Sequence, residues 1–149
     1  MTFDSRKNKS NAMRAAVIGC PIQHSKSPLI QNYALKLHGI SAHYTAMHVS
    51  SELELGHFFD QLRSREWAGV NVTIPYKEAV LPYLDRIHDN VQMIGACNTI
   101  VNKNGELIGY NTDAEGFDYP IKEKTISSVT ILGNGGASKA VLFQCAQKG

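Results

Sequence analysis

The sequence predicts an α/β fold: a three-layer α/β/α domain with a mainly parallel sheet that carries one antiparallel hairpin strand, followed by the start of a second α/β unit. Three observations support this prediction. Short apolar runs alternate with segments of helical periodicity along residues 15–84, the pattern of a layered domain with a parallel sheet. Two further apolar runs flank the turn signature "NKNG". Another apolar run precedes a glycine-rich turn near residue 133.

Residues 1–13 are polar and aperiodic, and we expect them to form a loose tail. The expected strands are short runs rich in apolar residues, and they cover residues 15–19, 43–49 and 68–74. The expected helices have apolar residues about four positions apart, and they cover residues 28–38 and 53–63, with a shorter helix around 77–84. In the first helix this apolar stripe consists of Leu29, Tyr33 and Leu37.

The rest of the chain divides into a hairpin, a linker and a glycine turn. Residues 96–101 and 107–110 are expected to pair as a hairpin, and residues 118–128 to form a linker, so the first domain covers residues 14–117. After the linker, the sequence indicates a buried strand at 129–132, a glycine turn at 133–136 and a helix at 137–148. This is the opening of a dinucleotide-binding βαβ unit, in which a helix N-terminus faces a pyrophosphate.

Composition narrows the class of protein. With 149 residues, of which 43% are hydrophobic and 19% charged, the chain can bury a core. The net charge of +2 is small and the basic residues are scattered, which argues against a nucleic-acid partner. No apolar run approaches the ~18 residues that suggest a membrane span, so we expect no membrane partner. Three widely spaced cysteines indicate reduced thiols and a cytoplasmic location. The histidines lack metal-ligand spacing, so no metal is expected.

The segment "SKSP" begins the first expected helix. Proline is favoured at the first helical position and serine at the cap before it, so Ser27 and Pro28 can simply mark a helix start. Alternatively, Ser25 and Ser27 hold a carboxylate or phosphate, assisted by free N–H groups and by the helix dipole. Taken by itself, the segment favours the simple helix start.

Polar side chains also occur at the third expected strand, in "NVTIPYK". Asn71 and Thr73 lie two residues apart and so share a face of the strand. Burying them without partners would cost about 1–3 kcal/mol each, and a ligand with hydroxyl groups would supply such partners. Lys77 follows the strand end, where its ammonium could donate a proton to a carbonyl that is being reduced. The alternative is an ordinary solvated lysine.

Two more polar residues lie near the expected hairpin. Asn98, in "GACNTI", can either bind a ligand hydroxyl or stabilise a turn. Asp113, in "YNTDAEG", precedes a helical turn that it can cap. Alternatively, Asp113 lies near Lys77, where a carboxylate keeps both groups charged, holds the lysine in place and relays protons.

In combination, these motifs resemble the shikimate dehydrogenase family in order and in approximate spacing. In chain order they are Ser25 and Ser27, Asn71-x-Thr73-x-Pro75-x-Lys77, "GACNT" with Asn98, Asn111-Thr-Asp113-x-x-Gly116, and the turn Gly133-Asn-Gly-Gly136-Ala. The resemblance runs from about Ala15 to the last residue. It implies that residues 14–117 form a substrate-binding domain, and that residues 129–149 form the first strand, glycine turn and helix of a truncated NADP-binding Rossmann domain.

The resemblance also implies roles for individual residues. The implied substrate-binding set is Ser25, Ser27, Asn71, Thr73, Lys77, Asn98 and Asp113. Within it, the two serines bind the substrate carboxylate, and Lys77 and Asp113 form the catalytic pair. The implied reaction is the reversible, NADPH-dependent reduction of 3-dehydroshikimate to shikimate, a step of chorismate and aromatic amino-acid biosynthesis.

The implied cofactor is NADP, and the residues that would bind it are Gly133, Asn134, Gly135, Gly136 and Ala137. Ser138 occupies the third glycine position of the usual motif. The resemblance also implies a following strand with the basic residues that recognise a 2′-phosphate, which this sequence does not include. We therefore expect the substrate-binding part of a reductase, cut soon after the cofactor domain begins and inactive by itself.

Alternative interpretations are a quinate/shikimate dehydrogenase fragment and a non-catalytic shikimate-binding module. The cofactor unit carries apolar residues that the rest of such a domain would cover, namely Ile131, Leu132, Val141 and Leu142. Exposed, they would promote self-association or local disorder.

Overall fold

The computed structural model describes residues 12–148 and contains a single six-stranded sheet within that range. The strands are β1 (Met13–Gly19), β2 (Ala42–His48), β3 (Trp67–Val72), β4 (Arg86–Ile87), β5 (Thr99–Lys103) and β6 (Glu106–Tyr110). The helices are α1 (Ser27–Leu37), α2 (Glu52–Leu62), α3 (Asp89–Ile94), α4 (Asp113–Asp118) and α5 (Gly136–Lys148), with a 3₁₀ turn at Leu81–Tyr83. The expected tail, except for its last two residues, lies outside the described residues.

The strand order is β2-β1-β3-β5-β6-β4, and β5 is the antiparallel strand. β1 pairs in parallel with β2 and with β3, and β4 pairs in parallel with β6. β5 runs antiparallel to both of its neighbours, β3 and β6. The tight turn before β6 is formed by Asn104 and Gly105, whose φ angles of 58° and 96° are those that such hairpin turns require. The predicted fold class is confirmed.

Alternate residues of β1 pack on opposite faces of the sheet, which gives the three layers. Ala16 and Ile18 join the main core on the α2 side. In that core Trp67 meets Phe58 edge-on, with 5.5 Å between ring centroids. On the other side, Val17 and its neighbour Ala15 pack toward α1 in a smaller cluster with Ile22 and Tyr44. Burial on both sides explains why β1 reads as a continuous apolar run.

The apolar stripe that predicts α1 does not face the sheet. Leu29, Tyr33 and Leu37 are 73%, 69% and 69% exposed. Leu35 packs against the sheet instead, and Asn32 ties the helix to β2 by hydrogen bonds to both the backbone N–H and the carbonyl of Tyr44. The periodicity therefore predicts the helix correctly, but the apolar stripe lies on the exposed face of α1.

Two predicted elements need correction, and two observed elements were not predicted. The short helix expected around 77–84 is reduced to the 3₁₀ turn, and the strand β4 and the helix α3 that follow it were not expected. The strand expected at 129–132 is wrong: within residues 12–148 no strand lies beside this segment to share its backbone hydrogen bonds. Leu132 is accordingly 92% exposed. The expected helix after it is present as α5.

Arg63, directly after α2, joins three separate segments. Its guanidinium donates to Asp85 Oδ2 at 2.5 Å, to the Gly105 carbonyl at 2.9 Å and to the Tyr83 carbonyl at 3.0 Å. Asp85 Oδ2 also accepts the Leu107 N–H at 2.7 Å. These bonds, from Arg63 first and from the backbone second, hold the pKa of the Asp85 carboxyl below its usual range.

We predict that Arg63→Met lowers the free energy of unfolding by about 1–2 kcal/mol at neutral pH, mostly through the lost hydrogen bonds to backbone carbonyls. The ion pair itself adds little, because its side chains are 39% and 40% exposed and solvent screens the charges. The pKa of Asp85 is lower in the folded protein than in the unfolded chain. Asp85 therefore stabilises the fold above the ordinary aspartate pKa of about 4, and this stabilisation is lost as the pH falls through its folded-state pKa.

Urea denaturation at several pH values measures this effect. The small part of the difference between wild type and Arg63→Met that comes from Asp85 should be lost below about pH 4, near the ordinary aspartate pKa, whereas the larger part from the backbone carbonyls should remain. Arg65→Met is the matched control, because Arg65 is exposed and forms no ion pair with another residue of the described range. Equal losses in the two variants would contradict the role given to Arg63.

Candidate functional site

The polar residues singled out in the sequence lie at one edge of the sheet. β1, β3 and β6 all end at this edge, because they run in the same direction, and the reversed strand β5 begins there. Backbone hydrogen bonds fix the segments to each other: the Val72 N–H donates to the Asn98 carbonyl at 2.9 Å, and the Asn98 N–H donates to the Tyr110 carbonyl at 3.1 Å. Ligands of open α/β sheets gather at this edge.

Lys77 and Asp113 form an ion pair in which Lys77 Nζ donates to Asp113 Oδ2. The pair is half-buried, with 17% of the lysine side chain and 26% of the aspartate side chain exposed. The carbonyl of Lys77 accepts the Cys97 N–H at 2.7 Å, which fixes the lysine backbone beside the start of β5. The simple alternatives are therefore excluded in this structure: Lys77 is not freely solvated, and the Asp113 side chain does not cap α4.

Asn98 holds the second oxygen of Asp113. Its Nδ2 donates to Asp113 Oδ1 at 2.7 Å, and its Oδ1 accepts the Thr112 N–H at 2.9 Å. Asn98 thus lies outside the hairpin turn and connects the start of β5 to the end of β6. The Asp113 N–H donates to Oδ1 of the buried Asn111 at 3.0 Å, so the backbone of Asp113 is fixed as well.

Asn71 lies opposite Thr99 in the register of β3 and β5. Its Nδ2 donates to Thr99 Oγ1 at 3.0 Å, and its Oδ1 accepts the hydroxyl of Tyr44 at 2.6 Å. Thr99 Oγ1 in turn donates to Asn98 Oδ1 at 3.0 Å. Thr73 follows the end of β3, and its methyl group faces Gly19 at the end of β1.

The sequence prediction missed Tyr44, Thr99 and Thr112, which complete this hydrogen-bond network. Thr99 and Thr112 are each next to a predicted site residue, so adjacency could have identified them. Tyr44 reaches the site from β2, and no local sequence motif predicts that it lies there. Burial raises the pKa of Tyr44 to about 12 and that of the Cys97 thiol to about 11.

Ser25 and Ser27 lie in the turn after β1 and at the first residue of α1. Ser25 Oγ accepts the Ser27 N–H at 3.3 Å, whereas the cap residue of the helix is Lys26, which makes no side-chain capping bond. Within residues 12–148, the Ser27 hydroxyl makes no hydrogen bond. Ser25 therefore satisfies one N–H at the start of α1, whereas Ser27 is the first residue of the helix and not the cap that the sequence suggests. The turn is anchored to the site edge, because the Cys20 N–H donates to the Ile74 carbonyl at 3.0 Å.

A cleft of about 340 Å³ separates the end of β3 from the glycine turn. One wall is formed by Thr73, Ile74, Pro75, Lys77 and Glu78, and the other by Gly135, Gly136, Ala137 and Ser138 at the start of α5. Gly133 has a φ of +112°, a conformation that favours glycine, and a Cβ at Gly135 would meet nothing within 4 Å. This open turn at the N-terminus of a 13-residue helix fits a phosphate group.

Close packing holds α5 beside Lys77. A Cβ on Gly136 would lie 2.9 Å from Lys77 Cβ and 3.1 Å from Ala96 Cβ. Ala140, one turn later, is fully buried in a small cluster with Ile94, Ala96 and Ala114. Lys139 Nζ also lies 2.6 Å from Glu78 Oε2, so an ion pair spans the cleft beside Lys77.

Residues 12–148 offer neither a metal site nor a membrane span. In that range, no group of three or more histidine, cysteine, aspartate or glutamate side chains could hold a metal ion. Over the same residues, no helix is both long and apolar enough to cross a bilayer. The three cysteines are free thiols.

We predict that Gly136→Ala destabilises the protein by about 1–3 kcal/mol, because neither the Lys77 Cβ nor the Ala96 Cβ can move away without a backbone shift. Gly135→Ala is the matched control, since its added methyl group meets open space. Thermal unfolding followed by circular dichroism compares the two variants. The packing of α5 against Lys77 would be contradicted if Gly136→Ala were as stable as Gly135→Ala.

Comparison with known proteins agrees with this geometry. The family model described as the shikimate dehydrogenase substrate binding domain matches residues 17–100, more than half of the chain. The shikimate dehydrogenase (NADP(+)) of Streptococcus mutans is 44% identical over 143 residues, which cover 91% of this chain and 48% of that protein. The chain thus spans about half the length of the curated relatives it matches.

Two solved structures show the same relationship. A shikimate 5-dehydrogenase from Thermus thermophilus, in complex with NADP(H) and shikimate, is 39% identical with a TM-score of 0.83, over 92% of this chain and 53% of that one. The ligand-free 5-ketofructose reductase of a Gluconobacter strain is 30% identical with a TM-score of 0.80, over 93% of this chain and 50% of that one. The chain belongs to the shikimate dehydrogenase substrate-binding domain family.

Proposed function

We propose that this chain is the substrate-binding part, with the beginning of the cofactor-binding part, of an NADPH-dependent shikimate dehydrogenase. The observation that carries the proposal is the cleft in which Lys77, paired with Asp113, faces the glycine turn. A dehydrogenase must bring an acid–base group and a nicotinamide cofactor to the same carbon atom, and this cleft has the two kinds of binding element on facing walls. Family membership supports the same activity.

In this proposal Lys77 donates a proton to the carbonyl oxygen of 3-dehydroshikimate during reduction, and accepts it from the hydroxyl of shikimate in the reverse direction. Asp113 binds the ammonium and, held by Asn98 through its other oxygen, keeps Lys77 at the strand end. The hydroxyls of Ser25 and Ser27 bind the substrate carboxylate. Asn71, Thr73 and Asn98 bind the carboxylate or the ring hydroxyls.

The glycine turn before α5 fits the pyrophosphate part of NADP. The residues that would hold its pyrophosphate are Gly133, Asn134, Gly135, Gly136 and Ala137, whose backbone lies at the N-terminus of α5. When bound in its reduced form, NADPH, the cofactor would supply the hydride for reduction of the ketone. Gly136 brings this turn against Lys77, and Lys139 is paired with Glu78 rather than free to bind a phosphate.

Other functions share part of this geometry. A quinate/shikimate dehydrogenase would use the same Lys–Asp pair, and a stand-alone shikimate-binding module would use the same anion and hydroxyl contacts without chemistry. The substrate assignment rests on the relatives, because the related 5-ketofructose reductase is named for a different ketone.

Two further proposals concern the cellular location of the protein and its self-association. We place the protein in the cytoplasm, on the basis of its free cysteines and of the biosynthetic reaction. We also propose self-association through the segment before and within α5. Leu132 and Leu142 are 92% and 61% exposed there, whereas Ile131 and Val141 are half-buried and contribute less than the sequence suggests.

We predict that shikimate titrated into this chain gives saturable heat in isothermal calorimetry, because the Lys77–Asp113 pair and Asn98 are already in place without ligand. Lys77→Met removes the ammonium and should weaken binding by about tenfold or more, the loss expected for a charged hydrogen bond. Lys103→Met, on the exposed part of β5, is the matched control and should bind as wild type. Absence of heat from a folded wild-type chain at millimolar shikimate would contradict the proposal.

Measurements of turnover and of quinate binding distinguish the remaining alternatives. We expect no measurable oxidation of shikimate by this chain with NADP, because within residues 12–148 the nucleotide unit consists of a turn and one helix without a neighbouring strand. The absorbance of NADPH, recorded with both ligands near saturation, measures the rate. Robust turnover would contradict this expectation, and tighter binding of quinate than of shikimate would favour the quinate/shikimate enzyme.

A further inference from the structure

Both the oxygen and the nitrogen of the Asn71 carboxamide form hydrogen bonds with other residues of the chain. Nδ2 donates to Thr99 Oγ1 at 3.0 Å and, more weakly, to the Asn98 carbonyl at 3.4 Å. Oδ1 accepts the Tyr44 hydroxyl at 2.6 Å. An amide has two N–H donors and two acceptor lone pairs, so one lone pair of Oδ1 remains for a ligand. Asn71 is half-buried at the site edge, where a ligand can reach it.

Tyr44 is held firmly enough to fix this amide. Its side chain is 5% exposed and packs with Val17 and Ile22. Asn32 of α1 binds its backbone on both sides, accepting the Tyr44 N–H at 3.0 Å and donating to the Tyr44 carbonyl at 2.8 Å. The ring therefore cannot swing away without disturbing both α1 and β2, and the direction of its hydroxyl is set by the core.

The same hydroxyl begins a chain of side-chain hydrogen bonds that ends at the catalytic pair. From Asn71 the bonds continue through Thr99 Oγ1 to Asn98, at 3.0 Å each, and from Asn98 to Asp113 Oδ1 at 2.7 Å. In this series Tyr44 donates to Asn71, Asn71 donates to Thr99, and Thr99 donates to Asn98. The donor at the start is Tyr44, whose only hydrogen-bonding partner for its hydroxyl in the described chain is Asn71.

We propose that Tyr44 is a positioning residue: its hydroxyl fixes the carboxamide of Asn71, so that Asn71 presents an oxygen lone pair, and not its NH₂ group, to a hydroxyl of the bound acid. This inference rests on the proposed function for the identity of the ligand. It gives Asn71 the role of an acceptor for a ring hydroxyl and excludes it as a donor to the substrate carboxylate, which the serines of the turn after β1 would bind instead.

The neutral form of Tyr44 is required for this role, and burial of the ring extends the pH range in which that form is present. Because the pKa of the phenol is raised to about 12, the hydroxyl remains a donor throughout the neutral and mildly alkaline range. The other partners of the Asn71 carboxamide in the described chain are the Thr99 hydroxyl and the Asn98 carbonyl, which carry no charge. The orientation of Asn71 should therefore not change over that range.

A purely structural role for Tyr44 is the competing explanation, and Tyr44→Phe separates the two because it keeps the packed ring. Tyr76→Phe is the matched control: Tyr76 is also buried, and its hydroxyl donates at 2.7 Å to the Val49 carbonyl in the core on the α2 side of the sheet. If loss of a buried hydroxyl only lowers stability, both variants should behave alike.

The first test needs no ligand. Nuclear magnetic resonance of the wild-type chain should show slow solvent exchange of the Asn71 Nδ2 protons, and Tyr44→Phe should speed this exchange by about fivefold or more, as expected when one hydrogen bond no longer holds the group. Tyr76→Phe should leave it unchanged. Equal exchange in wild type and Tyr44→Phe would overturn the inference, whether or not shikimate binds.

The second test is a double-mutant cycle with shikimate. Tyr44→Phe should weaken binding by about five- to tenfold in the wild-type chain and have no further effect in an Asn71→Ala background, because its influence passes through Asn71. Equal losses in both backgrounds would overturn the inference. Failure of the proposed function would appear differently, as absence of shikimate binding by the wild-type chain together with the predicted change in Asn71 exchange.

Discussion

The reversed direction of β5 is what makes this site possible. β1, β3 and β6 run the same way, so the segments after them meet at one edge of the sheet, and only a strand of opposite direction can begin there. That arrangement brings Asn98, at the start of β5, between β3 and the end of β6. Asn98 can then hold Asp113, and Asp113 can hold Lys77. A parallel strand in the same position would place Asn98 at the opposite edge.

The site is built by two kinds of interaction, backbone pairing of the strands and hydrogen bonds of amide side chains. The sheet and the turn at Asn104 and Gly105 set the strand register, and through it the distance between Asn71 and Thr99. Neutral asparagine and threonine side chains then connect the strand ends without adding charge. Lys77 of the charged pair lines the cleft, where Gly136 allows α5 to approach it. Polar groups half-buried in this way are stable only because each is hydrogen-bonded.

Much of this arrangement could be predicted from the sequence, for a physical reason. Strand ends of a parallel sheet share an edge, so the pattern of strands and motifs is enough to bring Lys77 and Asp113 together. Tyr44 could not be found this way, because its contact with Asn71 joins β2 to β3 across the sheet and leaves no local pattern. The stripe Leu29, Tyr33 and Leu37 has the correct helical period, but periodicity does not say which face is covered.

The strand expected at 129–132 illustrates a different limit. Its apolar residues match a buried strand, yet a strand exists only where another supplies hydrogen bonds, and residues 12–148 place none beside it. The helix after it needs no such partner, because its hydrogen bonds are internal, and α5 forms with Ala140 buried against Ala96 and Ala114. Local pattern therefore predicted the helix correctly and the strand wrongly.

We infer that the turn after β1, the end of β3, the start of β5 and the end of β6 form one binding site. Backbone amide chemical shifts of the isotopically labelled chain, recorded while shikimate is added, report on all four segments at once. We expect shifts that saturate together at Ser27, Thr73, Lys77, Asn98 and Asp113. Saturating shifts confined to another part of the chain, or different saturation curves for Ser27 and Asp113, would contradict a single site.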